Sequence, residues 1–365
     1  MGETHVTLKD IAESTGYSLA SVHRAIYNKE GLSETARERI LDAVKSMGYE
    51  VNYMASSLKR KTLNIAYVGK SPDIEKDYHH MMAEGVKSAF SQDEGMNISL
   101  EMIYFKGKPH ELQEEECRIL EKIYQRNDLD GIVIMPINTG IELRLAIQKI
   151  IAKGCPVILV DDSFEQMDYL CAVEPHNNLV GRTGAEFLSY SCDAGKILVA
   201  LGCASSAGQM ENFKGFSTYM QEHNSALEVI AVTEPFDEGK LVQELVSRID
   251  DTVVALYTVC ESNTPAICNA AILSGRTDLK VLGCDLRPEN REYLRQGVLC
   301  GILDMNSYMQ GFLAMRLLIE FLLKNNAPNA SEVFVPVNLV LQNSLPFLEG
   351  ERSAGIPIIV RLPED

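Results

Sequence analysis

Between Leu63 and about Pro346 the chain alternates short apolar runs with longer amphipathic stretches, and few architectures accept that rhythm. Strand-like runs fall at 64–69, 98–105, 131–135, 156–161, 196–202, 228–233, 253–257, 280–284 and 299–304. The stretches between them read as helices; Leu143, Ala146, Ile147, Ile150 and Ile151, for instance, keep one apolar stripe at helical spacing. Strands that alternate with helices form parallel sheets covered on both faces, because a parallel neighbour is reached only through a long crossover. A break near Ser191–Gly195, ahead of Lys196-Ile197-Leu198-Val199, divides the run into two similar halves. The expected fold class is α/β, with two doubly wound parallel-sheet lobes. Such lobes hold a ligand between them, at the carboxyl ends of their strands.

The first sixty residues follow a different period and predict an all-α head. Thr7 followed by Asp10 reads as a capping box, and Leu8, Ile11 and Ala12 form the apolar face of a helix ending near Thr15. Gly16 permits the tight turn that follows. Ser18 caps a second helix through about Tyr27, with Val22 and Ile26 turned inward. Ser33 caps a third, in which Ala36, Ile40, Ala43, Val44 and Met47 recur at helical spacing and Gly48 supplies the stop. Helix, tight turn, helix and bracing helix is the arrangement of a DNA-reading helix-turn-helix, whose second helix enters the major groove. Leu19, Ala20, Ser21, His23 and Arg24 are the side chains expected outside on that helix. Arg24 is the candidate for a bidentate guanine contact, whereas Leu19 and Ala20 can offer only apolar contact. Thr7, Ser18, Ser21 and Tyr27 suit phosphate oxygens. A plain three-helix bundle with Arg24 in solvent fits the same spacing.

Charge does not decide between them. The net charge is −17, but residues 1–62 hold nine Lys/Arg against eight Asp/Glu, leaving 25 against 43 in the remainder. An acidic body does not prevent a nearly neutral head from meeting phosphates, since such contacts are local and screened beyond ~10 Å. The nine cysteines are Cys117, Cys155, Cys171, Cys192, Cys203, Cys260, Cys268, Cys284 and Cys300; no two form a C-x-x-C pair, so they read as small buried hydrophobes. Neither a secretory leader nor an apolar run of membrane-spanning length is present, which makes the cytoplasm the expected location.

The head also carries a specific resemblance. Val6-Thr7-Leu8-Lys9-Asp10-Ile11-Ala12, Gly16-Tyr17-Ser18, Val22-His23-Arg24-Ala25, Leu32 through Ile40, Gly48-Tyr49, Asn52 and Ala55-Ser56-Ser57-Leu58-Lys59 together resemble the lactose/galactose repressor family. That likeness implies a DNA-binding domain over 1–49, a hinge over 50–62 and an effector-binding and dimerisation domain over 63–365. The segment from Asn52 to about Lys59, taken alone, reads as a short capped helix or a basic linker. The family implies that two hinge helices lie together in the minor groove, with Leu58 as an apolar wedge and Ser57 and Asn52 as backbone or groove-floor contacts. His23, Tyr27 and Val51 replace the family's usual Ser, Asn and Pro, and the first two of these imply an operator sequence different from the usual one.

The body is similar to the periplasmic sugar-binding proteins that serve as effector domains in that family. Three crossings of the chain then imply one lobe of about 63–191 plus 305–333 and another of 192–304 plus 334–365. Asp285, in Gly283-Cys284-Asp285, matches a motif whose carboxylate takes ligand hydroxyls; a cap for a helix over 288–296 is its alternative. Asp161 ends an apolar strand, and Tyr78 opens the first body helix where an aromatic often stacks on a sugar, unless it packs in the core. Asn178 is a ligand contact or a helix cap. Asn212 stands where an Arg often contacts ligand, Cys260-Glu261 replaces Asn-Asp, and Met305 replaces a common Gln. The effector-binding candidates are thus Tyr78, Asp161, Asn178, Asn212, Glu261 and Asp285, and the expected effector is a sugar or polyol.

The function expected is a homodimeric transcription regulator, a repressor in the main reading, that binds a pseudo-palindromic double-stranded DNA site under control of the effector. The absence of a leucine-heptad tail after Pro346 favours a dimer over a tetramer. A plain solute-binding protein needs export. An enzyme is the third reading, but no dinucleotide glycine motif, P-loop or nucleophile elbow occurs, and His79-His80 and His176 lack a metal-spaced carboxylate set. No cofactor or metal is expected.

Overall fold

The computed structural model describes residues 6–27, 30–49, 61–72, 77–93, 95–108, 110–202, 206–233, 237–346 and 348. The hinge positions Asn52, Ser57 and Leu58, together with Cys203 and most of the stretch after Pro346, lie outside the described residues.

The head consists of α1 (Leu8–Thr15), α2 (Leu19–Ile26) and α3 (Glu34–Ser46), each begun by the cap its sequence encodes. The Thr7 hydroxyl accepts from the Asp10 amide at 3.4 Å while the Asp10 carboxylate accepts from the Thr7 amide at 2.7 Å, so two otherwise orphaned donors are satisfied. Ser18 and Ser33 accept from Ser21 and Ala36 in the same way. Gly16, at φ 73°, makes the left-handed turn that a side chain would strain. Ile11, Val22, Ala25 and Ile40 form the small core between the three helices. Arg37 on α3 donates to the carbonyls of Arg24 and Ala25, both at 3.3 Å, which braces the end of α2.

Among the described residues the body contains two six-stranded sheets. The first is built from β1 (Leu63–Lys70), β2 (Ile98–Phe105), β3 (Gly131–Ile134), β4 (Val157–Val160), β5 (Cys171–Pro175) and β11 (Glu332–Val335), in the order β2-β1-β3-β4-β5-β11 and parallel throughout. The second holds β6 (Gly195–Leu201), β7 (Leu227–Thr233), β8 (Val253–Thr258), β9 (Lys280–Cys284), β10 (Gly301–Asp304) and β12 (Asn338–Val340), ordered β7-β6-β8-β9-β10-β12, with only β12 antiparallel. The interior strands β3, β4 and β5 are buried at every residue, as parallel strands covered on both faces must be. In both sheets the strand order reverses beside the first strand, which opens a crevice at the carboxyl ends.

The helices are α4 (Tyr78–Ser91), α5 (Leu112–Tyr124), α6 (Ile141–Ala152), α7 (Asn177–Ser189), α8 (Ala207–His223), α9 (Glu238–Arg248), α10 (Thr264–Ser274), α11 (Pro288–Arg295) and α12 (Ser307–Lys324). Among the described residues no helix is long and apolar enough to cross a membrane. The eight described cysteines are free.

Two helices change lobes, and here the expected boundaries need correction. Helix α12 follows β10 of the second sheet yet packs on α4 of the first lobe; helix α7 follows β5 of the first sheet yet packs on α8 of the second. The first crossing therefore lies at Pro175–Asn177, not at 191, and α7 belongs to the second lobe. The last crossing falls between β11 and β12, after Val335 rather than 333. Paired glycines let these helices touch through their backbones. A Cβ on Gly85 would sit 2.0 Å from the Tyr308 carbonyl oxygen, and one on Gly181 would sit 1.8 Å from that of Asn212. Strand β5 was not among the runs expected from sequence, because Glu174 interrupts its short apolar stretch, and β11 and β12 are shorter still. The run expected at 299–304 begins as a strand only at Gly301, since the amides of Val298 and Leu299 turn back to the Tyr293 carbonyl.

Candidate functional site

The head exposes the face that a groove-reading helix needs. Val22 and Ala25 are buried, while Ser18, Leu19, Ala20, His23 and Arg24 are exposed and Ser21 is half-buried. Ser18 and Ser21 share a hydroxyl hydrogen bond at 2.9 Å, and the His23 and Tyr27 rings lie 4.4 Å apart. Thr7 is exposed at the start of α1. The described part of the head thus leaves Thr7, Ser18, Leu19, Ala20, Ser21, His23, Arg24 and Tyr27 exposed or half-exposed at its surface.

The body encloses a cleft of about 480 Å³ between its lobes. From the first lobe come Lys70 at the end of β1, Met135 to Asn138 after β3, and Asp161 and Asp162 after β4. The second supplies Asn177, Ser206, Gln209, Glu261 after β8, and Asp285 and Arg287 after β9. Tyr78, Asp161, Glu261 and Asp285 are therefore brought together, as strand-end reasoning expects.

Tyr78 opens α4 beneath the cap of Asp77, whose carboxylate accepts from the His80 amide at 2.7 Å. Its hydroxyl donates to Asp161 at 2.5 Å and accepts from Gln310 Nε2 at 3.0 Å. Asp161 adopts a left-handed backbone, at φ 75°, which turns its side chain at the strand end. Burial pushes its carboxyl up to about 7, against the lowering effect of the Tyr78 hydroxyl. Asp285, also left-handed at φ 55°, accepts from the Met305 amide at 2.9 Å through Oδ1, while its buried Oδ2 has no partner. Burial and then the neighbouring carboxylates of Asp304 and Glu261 hold it well above the usual range. Asp285 is not the cap of α11: that position is Arg287, and Asn290 ties the turn by donating to the Cys284 and Asp285 carbonyls.

Glu261 faces the backbone amide of Tyr78 across the cleft, and the Arg287 guanidinium approaches it to 3.8 Å. Burial raises its carboxyl to about 7 although Arg287 pulls it down. Asp162, which sequence reasoning missed, reaches the other way. Its carboxylate accepts the Ser206 hydroxyl at 2.9 Å and the Gly208 amide at 3.1 Å, at the positive end of α8. Burial raises it to about 6, with those donors opposing. Its signal was the paired Asp161-Asp162, where successive residues at a strand end point in opposite directions.

Two candidates lie elsewhere. Asn212 is fully buried, and its Oδ1 accepts the Tyr257 hydroxyl at 2.6 Å in the packing of α8 on the second sheet. Asn178 donates to Glu211 at 3.2 Å on the α7–α8 face; it is neither a cleft residue nor the cap, which is His176, and its neighbour Asn177 lines the cleft instead. Helical geometry turns adjacent residues ~100° apart, so a one-residue difference moves a side chain to another face. Among the described residues no cluster of His, Cys, Asp and Glu could hold a metal ion.

Residues 65–326 match the periplasmic binding protein domain family, and residues 7–52 match the bacterial regulatory proteins of the lacI family. The chain belongs to the lacI family of bacterial regulatory proteins, with a periplasmic-binding-protein body. This lacI-family chain is 24% identical over 294 residues to the HTH-type transcriptional regulator DegA of Bacillus subtilis, covering 76% of this chain and 81% of that protein. It is 22% identical over 287 residues to the ribose operon repressor of Halalkalibacterium halodurans, covering 76% and 80%. The fold of its body is that of GanP, a glucose-galactose binding protein from Geobacillus stearothermophilus, at a TM-score of 0.69 and 18% identity, covering 79% of this chain and 100% of that one. The lacI-family regulator is thus a DNA-binding transcription regulator with a periplasmic-binding-protein body.

Proposed function

We propose that this regulator binds a small polyhydroxylated molecule in the interlobe cleft, and that occupancy alters how a cytoplasmic homodimer grips a pseudo-palindromic operator. The observation that carries the reading is the ring of strand-end acceptors around the cleft. Asp161, Asp162, Glu261 and Asp285 stand with the amides of Asn138 and Asn177 around the apolar surface of Met135 and Met305. Carboxylates and amides accept from hydroxyls and fix orientation, while the apolar wall takes the faces of a carbon frame. The sugar named in the ribose operon repressor, and those named in GanP, fit that chemistry. A homodimer presents two such heads, one exposed recognition helix to each half-site of a two-fold symmetric operator, and the exposure of that helix supports this reading.

The contacts from Asp162 and Glu261 to helix N-termini of opposite lobes supply the coupling. A ligand that binds one lobe arrangement better shifts the equilibrium by its differential affinity, commonly ~1–3 kcal/mol. The test is a thermal-shift screen of sugars and polyols on the full chain, followed by gel-shift titration of selected operator fragments with each hit. A hit should change operator affinity by roughly 5- to 150-fold. A ligand that stabilises the protein yet leaves operator affinity unchanged refutes the coupling.

A further inference from the structure

Two carboxyls in the cleft, those of Asp161 and Asp285, have hydrogen-bond donors beside them but no described lysine or arginine. The described lysine and arginine side chains lining it are Lys70 and Arg287, and both act on Glu261. Arg287 is shared further with Glu289, at 3.9 Å. Asp162 is met by the hydroxyl and amide at the start of α8. Asp161 and Asp285 have no such partner: one receives the Tyr78 hydroxyl and the other the Met305 amide. Asp285 is 3% exposed, and its Oδ2 has no hydrogen-bond partner among the described residues.

We propose that the ligand of this cleft carries a protonated amine on its hydroxylated frame, seated between Asp161 and Asp285 beside Tyr78. The inference rests on the reading of the cleft as the effector site and specifies what that effector must bring. With a neutral polyol the two carboxyls stay in the protonated form that burial favours, whereas a cation seated between them stabilises their ionised form and is held by both. An ammonium group supplies a compact charge and three donors, enough to satisfy the orphaned Asp285 oxygen and a free lone pair of Asp161 together. A metal ion is the other way to neutralise them, but the described residues offer no ligand set for one. The remaining acceptors, Asn138, Asn177 and Asp162, are then left for the hydroxyls of the frame.

The experiment compares matched ligands on the full chain by isothermal titration. Glucosamine, galactosamine and mannosamine are each set against the parent hexose and the N-acetyl derivative, in which the frame is kept and the charge removed. At least one amine should bind about tenfold or more tighter than both of its neutral counterparts. In Asp161→Asn and Asp285→Asn that preference should fall to about threefold or less, with folding checked by circular dichroism. Neutral sugars that bind as tightly as every amine overturn the amine while leaving the cleft a sugar site. An amine preference that survives in both variants also overturns the assignment, because the charge is then read elsewhere. Should no member of the panel bind, the amine and the sugar reading fall together. If neither variant folds, the comparison on the unaltered chain decides by itself.

Discussion

The carboxylate of Asp162, at the end of β4 in the first lobe, accepts the hydroxyl of Ser206, the residue that caps α8 in the second, at 2.9 Å. Glu261 answers from the other side, turned toward the amide of Tyr78 at the start of α4. Each lobe thus places an acid at the positive end of a helix in its partner, where a fixed negative charge is favoured.

Removing one of these contacts should loosen the lobes. Asp162→Ala leaves the Ser206 hydroxyl and the Gly208 amide without their acceptor, and hydrogen bonds to a charged group contribute ~1.5–3 kcal/mol. The burial of Asp162 opposes that gain, so the expected loss is at the lower end, about 1–2 kcal/mol, read from urea unfolding of the full chain. An unchanged midpoint would show that the contact contributes nothing.

The helix crossings should tolerate no added methyl. Gly181→Ala sets a Cβ 1.8 Å from the Asn212 carbonyl oxygen, and a backbone atom can move only with its helix. Overpacking of this kind costs ~1–3 kcal/mol or more. Gly239→Ala, whose Cβ would meet only the Asp237 carboxylate at 3.6 Å, serves as the control and should be neutral or mildly stabilising. Thermal unfolding that ranks the two variants the other way round defeats the close-packing account.

Arg24→Ala tests the recognition helix. Because Arg24 is exposed beyond the buried Val22 and Ala25, its loss should spare folding and ligand binding. Operator affinity should drop by ~1–3 kcal/mol, with relaxed discrimination at one base pair in each half-site. Equal affinity and unchanged sequence preference in a gel-shift titration would remove Arg24 from the base-reading set.

Stability should fall as pH rises through neutrality. Burial raises the Glu116 carboxyl from 4.5 to about 8, although the Ile137 amide opposes it, so the folded state holds a proton that the unfolded chain releases earlier. That contribution is complete below about pH 4.5 and is lost progressively up to about pH 8. Asp161, raised to about 7, acts in the same direction. Glu116→Gln cannot ionise, so its melting temperature should decline less between about pH 5 and 8, by ~3 °C or more. A slope equal to that of the unaltered chain contradicts the assignment.

The head was nearly complete in the sequence: Thr7, Ser18 and Ser33 fix the helix starts through bonds three residues away, and Gly16 fixes the turn. Tyr78, Asp161, Glu261 and Asp285 were legible as cleft residues because each follows an apolar run or opens a helix beside one. Asn178 and Asn212 were not, since a helix carries polar residues on packed and open faces alike. Only the contacts with Glu211 and Tyr257 reveal which face each occupies.

Local order in the chain determined which segments become strands and helices, because caps, turns and apolar periods act over a few residues. Tertiary structure alone decided that α7 and α12 exchange lobes, that Asp162 spans the cleft, and that Asp161 and Asp285 share it. Those outcomes depend on the packing of residues far apart in sequence. There, the absence of a Cβ at Gly181 and Gly85 matters as much as any side chain that is present.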